Sequence, residues 1–146
     1  MRTVVKEGRS GRATESTRTL PGPNDETGKT RLKILFVEDS SRDVELILHR
    51  LQVDGMRVEP RRVDDEADFR NALDNFSPDL VICDFAMPRF SGMAALAILQ
   101  QGHVQLPCIV VSGTIGEEAT AAVLKAGALD FVLKSNLVRL LPAVRG

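Results

Sequence analysis

The chain contains no Trp, no Tyr, and only two Cys and two His in 146 residues. Two cysteines cannot staple a disulfide-dependent mini-domain, and such sparing use points to a reducing cytoplasm. Neither Cys nor His recurs at metal-ligand spacing, which excludes a zinc-ribbon or zinc-finger site. No apolar run approaches the length of about 18 residues that a membrane span requires. The N-terminus lacks the apolar core of a secretory signal. Charge of one sign is also missing: 19 Lys and Arg balance 20 Asp and Glu, for a net charge of −1. A protein that coats nucleic acid would be visibly basic, so direct nucleic-acid binding is not expected.

The distribution along the chain is uneven. Residues 1–30 hold only Met1, Val4, Val5, Ala13 and Leu20 as apolar members, between Gly, Ser, Thr, Pro and charged residues. Such a stretch buries too little apolar surface to offset its ordering entropy, so it is expected to be a disordered extension. All the Phe lie in residues 31–146, which form the expected folded domain.

Within that domain, short apolar runs alternate with helical periods. Residues 33–37, 80–83, 108–111 and 130–133 read as strands, and residues 57–63 as a further strand whose Pro60 suggests a sheet edge. Val44, Ile47, Leu48 and Leu51 mark a first helix, capped by Ser40 or Ser41 and closed by Gly55. Phe69, Ala72, Leu73 and Phe76 mark a second. Ser91 can cap a third through residues 93–100, and Ala119, Ala122, Val123 and Ala126 form a fourth stripe. Continuous apolar strands between amphipathic helices imply βαβ units and a parallel sheet covered on both faces. The expected fold is α/β, a (βα)5 flavodoxin-like three-layer sandwich with strand order 2-1-3-4-5. Leu137, Leu140, Leu141 and Val144 carry the last helix, but Pro142 interrupts it and the chain ends four residues later. That helix is expected to be short or truncated, as in a fragment of a longer protein.

Open parallel sheets bind ligands beyond the carboxyl ends of their strands. Those ends carry Glu38-Asp39, Asp84, Ser112 and Lys134. Three carboxylates at about 4 Å repel by about 4 kcal/mol per pair at an effective dielectric near 20, so the set calls for a cation. Carboxylate oxygens suit Mg²⁺, which retains waters and favours phosphate oxygens. A carboxylate beside Mg²⁺ and a lysine is a plausible nucleophile toward phosphorus, which makes phosphoryl transfer to Asp84 the expected chemistry. Ser112-Gly113-Thr114-Ile115-Gly116 could instead cradle a phosphate, but it follows the fourth strand and no Trp or Tyr is available to stack on a flavin. A hydrolase of the haloacid-dehalogenase type wants a second Asp two residues after the first, where this chain has Ala86.

The segments Ile34-Leu35-Phe36-Val37-Glu38-Asp39-Ser40, Val81-Ile82-Cys83-Asp84-Phe85-Ala86-Met87-Pro88, Ser91-Gly92, Val110-Val111-Ser112-Gly113 and Asp130-Phe131-Val132-Leu133-Lys134 resemble the receiver domain of two-component response regulators. The resemblance spans residues 31–146. It implies that Asp84 accepts a phosphoryl group from a sensor histidine kinase or a histidine phosphotransfer protein. It implies Mg²⁺ held by Asp39, by Glu38 directly or through water, by Asp84 and by the backbone carbonyl of Ala86. Ser112 would be the switch hydroxyl, Gly113 the small residue beside it, Lys134 the phosphoryl-pairing lysine and Phe131 the aromatic that follows Ser112 inward. The switched α4-β5-α5 surface would meet an output domain or a second receiver. No chemistry beyond transfer to its own aspartate is implied. A degenerate receiver that docks or dimerises without phosphorylation is the alternative. Three features depart from the pattern: the acidic pair begins with Glu38, Ser135 follows the lysine where Pro is usual, which puts the loop after the last strand in doubt, and the last helix is cut short around Pro142.

Overall fold

The computed structural model describes residues 31–113 and 116–145, together with Val5–Lys6 and Gly8–Arg9. Those two short segments pair with each other in a two-stranded sheet. Apart from them, the expected disordered extension lies outside the described residues.

Strands β1 (Leu32–Val37), β2 (Val58–Val63), β3 (Leu80–Asp84), β4 (Cys108–Ser112) and β5 (Asp130–Leu133) form one sheet, with β1 flanked by β2 and β3, then β4, then β5. Every pairing is parallel. This is the 2-1-3-4-5 order of a flavodoxin-like sheet. Helices α1 (Ser41–Val53), α2 (Glu66–Asn75), α3 (Gly92–Gly102) and α4 (Glu117–Lys125) connect the strands. A 3-10 segment (Lys134–Arg139) and a short α5 (Leu140–Arg145) end the domain.

The strand period of two divides the core into two layers. Along β1, Ile34 and Phe36 face the α1 and α5 side, where Ile47, Leu51 and Leu140 pack. Leu35 and Val37 face the other side, with Phe69, Leu96 and Val123 of α2, α3 and α4. The central strands β3 and β4 are buried along their whole length. In β2 only Val58 and Val63 are buried, in keeping with an edge strand in which Pro60 has no ladder bond to donate on its outer side. The exposed Arg61 lies over the Phe76 ring, 4.7 Å from its centroid.

Helix starts follow their caps. The Ser40 side chain accepts from Asp43 N, Asp65 from Asp68 N and Ser91 from Ala94 N. Gly55 follows α1 with φ +92°, a value natural only to glycine. The stripe expected on α4 is corrected by the structure. Val123 is fully buried, Ala119 and Ala126 are half-buried, and Ala122 is exposed. Alanines offer little area to hold a helix down, so one valine anchors it.

The end of the chain is built around Pro142, the third residue of α5. A first-turn proline loses no intrahelical hydrogen bond, so the helix tolerates it while burying Leu140, Ala143 and Val144. The 3-10 segment begins at Lys134 and runs on through Ser135, and no cis peptide occurs among the described residues. Arg139 ties that segment back to β5, donating to the Phe131 carbonyl at 2.9 Å and pairing with Asp130 at 3.2 Å.

Candidate functional site

The carboxyl ends of β1, β3 and β5 bring Glu38, Asp39, Asp84 and Lys134 together. Glu38, Asp39 and Asp84 each present a carboxylate oxygen within 4.8 Å of the others. Glu38 and Asp84 are buried, whereas Asp39 is exposed at the rim. Lys134 reaches into this group from the start of the 3-10 segment. Its Nζ donates to Glu38 Oε1 at 3.0 Å, Asp84 Oδ2 at 3.4 Å and Asp43 Oδ2 at 2.7 Å.

Backbone donors hold the carboxylates in place. Ser40 N donates to Glu38 Oε2 at 3.1 Å, and Ala86 N donates to Asp84 Oδ1 at 3.3 Å. Arg62 donates to the Glu38 carbonyl at 3.2 Å. The start of α3 presses on the same backbone. A Cβ at Gly92 would meet Phe85 Cα at 3.1 Å and the Asp84 carbonyl at 3.2 Å, so a side chain there would press the Asp84–Phe85 backbone aside by a few tenths of an ångström.

The electrostatics are unbalanced toward negative charge. Burial pushes the Glu38 carboxyl up to about 7, and the Asp84 charge adds to this against the hydrogen bond and charge of Lys134. Burial opposes the charge on Lys134, but its bonds to Asp43 and Glu38 prevail and hold the ammonium above its ordinary range. One ammonium thus serves three carboxylates, Glu38, Asp43 and Asp84, with Asp39 close by. Three clustered oxygen donors with a surplus of negative charge fit a hard divalent cation such as Mg²⁺.

Ser112 ends β4 and is buried. It shares a strand face with Val110, and Val110 is in register with Phe131 of β5. Phe131 is buried in the α2–α4 core layer, one strand from Ser112. A Cβ at Gly113 would meet nothing within 4 Å. Ala86 is exposed at the mouth of the site.

The family model described as the response regulator receiver domain matches residues 34–145. The chain belongs to the response regulator receiver domain family. The receiver is also 39% identical over 70 residues to the Regulator of RpoS of Escherichia coli strain K12, a match covering 48% of this chain and 21% of that protein. It is 30% identical over 106 residues to the transcriptional regulatory protein PhoP of Escherichia coli O157:H7, covering 70% of this chain and 45% of PhoP. The chain thus spans less than half the length of either relative. A solved response regulator receiver domain from Clostridium thermocellum superposes with a TM-score of 0.66 at 27% identity, over 77% of this chain and 90% of that one. The fold and the two-component signalling family read from the motifs therefore stand.

Glu38, Asp39, Asp84, Ser112 and Lys134 lie at this end of the sheet, whereas Phe131 sits earlier along β5 beside Val110. Two contributors escaped the motifs. Asp43, the third residue of α1, makes the shortest contact to Lys134, and Arg62 reaches Glu38 from the edge strand. The only sequence signal for Asp43 was an acid one helical turn past the Glu38-Asp39 pair. Nothing in the sequence marked Arg62. The two thiols, Cys83 and Cys108, are buried and unpaired in β3 and β4, and His49 is exposed on α1.

Proposed function

We propose that this receiver takes a phosphoryl group from a phosphohistidine of a sensor kinase or phosphotransfer protein onto Asp84. The observation that carries the reading is Lys134 Nζ, set between Asp84 and Glu38 while both carboxylates belong to the three-acid cluster. Asp84 Oδ attacks phosphorus, the N–P bond of the ring-protonated phosphohistidine breaks with its electron pair passing to the ring nitrogen, and the histidine therefore leaves as neutral imidazole. Glu38, Asp39, Asp84 and the Ala86 carbonyl are the residues that would hold Mg²⁺. When bound, that ion supplies charge neutralisation for the transferring oxygens. Lys134 pairs with a second oxygen, and Asp84 is held for attack by the Ala86 N–H.

Ser112 and Phe131 form the switch. The Ser112 hydroxyl bonds to the phosphoryl group, and Phe131, in the same face of the sheet, responds to its position. The readout is the α4-β5-α5 surface, where the exposed Leu124, Leu129 and Val138 are available to an output domain or a second receiver. The work is done in the cytoplasm, where buried thiols stay reduced. Among the described residues no helix is long and apolar enough to cross a membrane.

A small phosphodonor should label the protein only with Mg²⁺ present, and Asp84→Asn should reduce the label to background. Label that survives the substitution would move the acceptor elsewhere. No label under any condition would favour phosphorylation-independent docking.

A further inference from the structure

Asp43 is the one carboxylate bonded to Lys134 that stands outside the three-acid cluster. Its contact to Lys134 is nevertheless the shortest of the three, 2.7 Å against 3.0 Å for Glu38 and 3.4 Å for Asp84. Its backbone is fixed. Asp43 N donates to the Ser40 side chain at 3.1 Å, and Ser40 N in turn holds Glu38. Lys134 is its only ion-pair partner among the described residues.

An ammonium has three N–H donors, and each of these points at a different carboxylate. A phosphoryl group on Asp84 brings further oxygens that need one of those donors. Glu38 and Asp84 are both drawn into the cation cluster, which leaves Asp43 as the competitor for the lysine. Its negative charge also opposes an incoming dianion. Both effects have the same sign.

We propose that Asp43 is a restraining counter-ion, a positioning residue that holds Lys134 in the unphosphorylated chain and competes with the phosphoryl group for it. This rests on the reading of Asp84 as the phosphoryl acceptor. The Asp43 side chain is 31% exposed, so solvent screens the competition and its effect on phosphoryl affinity is about two- to five-fold.

The test is a titration of the full chain with beryllofluoride, a phosphoryl analogue, at saturating Mg²⁺. Asp43→Asn keeps an oxygen acceptor but loses the charge, and it should bind about two- to five-fold more tightly than wild type. Asp43→Glu should return the affinity to that of wild type. In the metal-free protein, the Lys134 amine should react faster with an acylating reagent in Asp43→Asn and at the wild-type rate in Asp43→Glu. A purely structural role would loosen binding instead. Unchanged or weaker beryllofluoride binding by Asp43→Asn, or an unchanged Lys134 reactivity, overturns the restraint and leaves Asp84 as acceptor. Failure of the wild type to bind beryllofluoride overturns the Asp84 reading and the restraint with it.

Discussion

Lys134 Nζ lies 3.0 Å from Glu38 Oε1, although 96 residues separate the two in sequence. The parallel order of the sheet makes this contact possible, because β1 and β5 both end at the same rim while β3 and β4 lie between them. A buried carboxylate is thereby matched to an ammonium supplied from the far edge of the sheet.

Removing that ammonium should be costly in a pH-dependent way. Lys134→Met leaves the buried Glu38 and Asp84 without their shared partner, and a loss of about 1–3 kcal/mol is expected at pH 8. The loss should shrink at pH 6, where Glu38 can take up a proton. Urea denaturation of both proteins at the two pH values measures this. An equal loss at both would mean that Glu38 stays ionised throughout.

Glu38 also sets the pH response of the metal-free protein. Its folded-state value of about 7 exceeds its ordinary value of 4.5, so the folded chain holds the proton more tightly than the unfolded chain. Its contribution to stability is therefore complete below pH 4.5 and is lost as pH rises through about 7. Mg²⁺ competes with the same proton, so its affinity should rise with pH across that window. Calorimetric Mg²⁺ titrations at pH 6 and pH 8 give the comparison, and a flat profile would exclude Glu38 from the cation site.

Gly92 couples helix α3 to the backbone of Asp84. A methyl group there meets backbone at 3.1 Å and 3.2 Å, where no flexible side chain can yield. Gly92→Ala should displace the Asp84–Phe85 backbone, lowering stability by about 1–3 kcal/mol and weakening Mg²⁺ binding together. A stable variant with wild-type Mg²⁺ affinity would show that α3 can shift without moving Asp84.

The cysteines should be silent in the native state. Burial raises the Cys83 thiol well above its ordinary value and the Cys108 thiol to about 12. Alkylation at pH 8 should proceed only after unfolding, as mass spectrometry with and without urea can establish. Rapid native labelling of either thiol would mean that the central strands open.

Much of this molecule was legible in one dimension. Apolar runs of strand length alternating with helical stripes define a parallel, two-sided sheet, because burial on both faces leaves no polar alternation. Pro60 marked the edge strand, and Ser40 and Ser91 marked helix starts, through local hydrogen bonding that depends on near neighbours alone. The acidic pair, Asp84, Ser112 and Lys134 were legible because each sits at a strand end, and parallel strands bring their ends to one side.

Contacts set by three-dimensional distance were not legible. The alanine stripe of α4 has the right period, yet only its valine is buried, since periodicity does not weigh area. Asp43 is polar, helical and unremarkable in sequence, and it enters the site only because α1 starts beside the end of β1 while Lys134 arrives from β5. Arg62 reaches Glu38 only across the β1–β2 pairing. Sequence by itself determined which ionisable side chains the chain brings to which rim, because spacing and side-chain type suffice for that. Tertiary structure alone decided how one lysine is shared among Glu38, Asp43 and Asp84, because that partition depends on ångström differences between groups far apart along the chain.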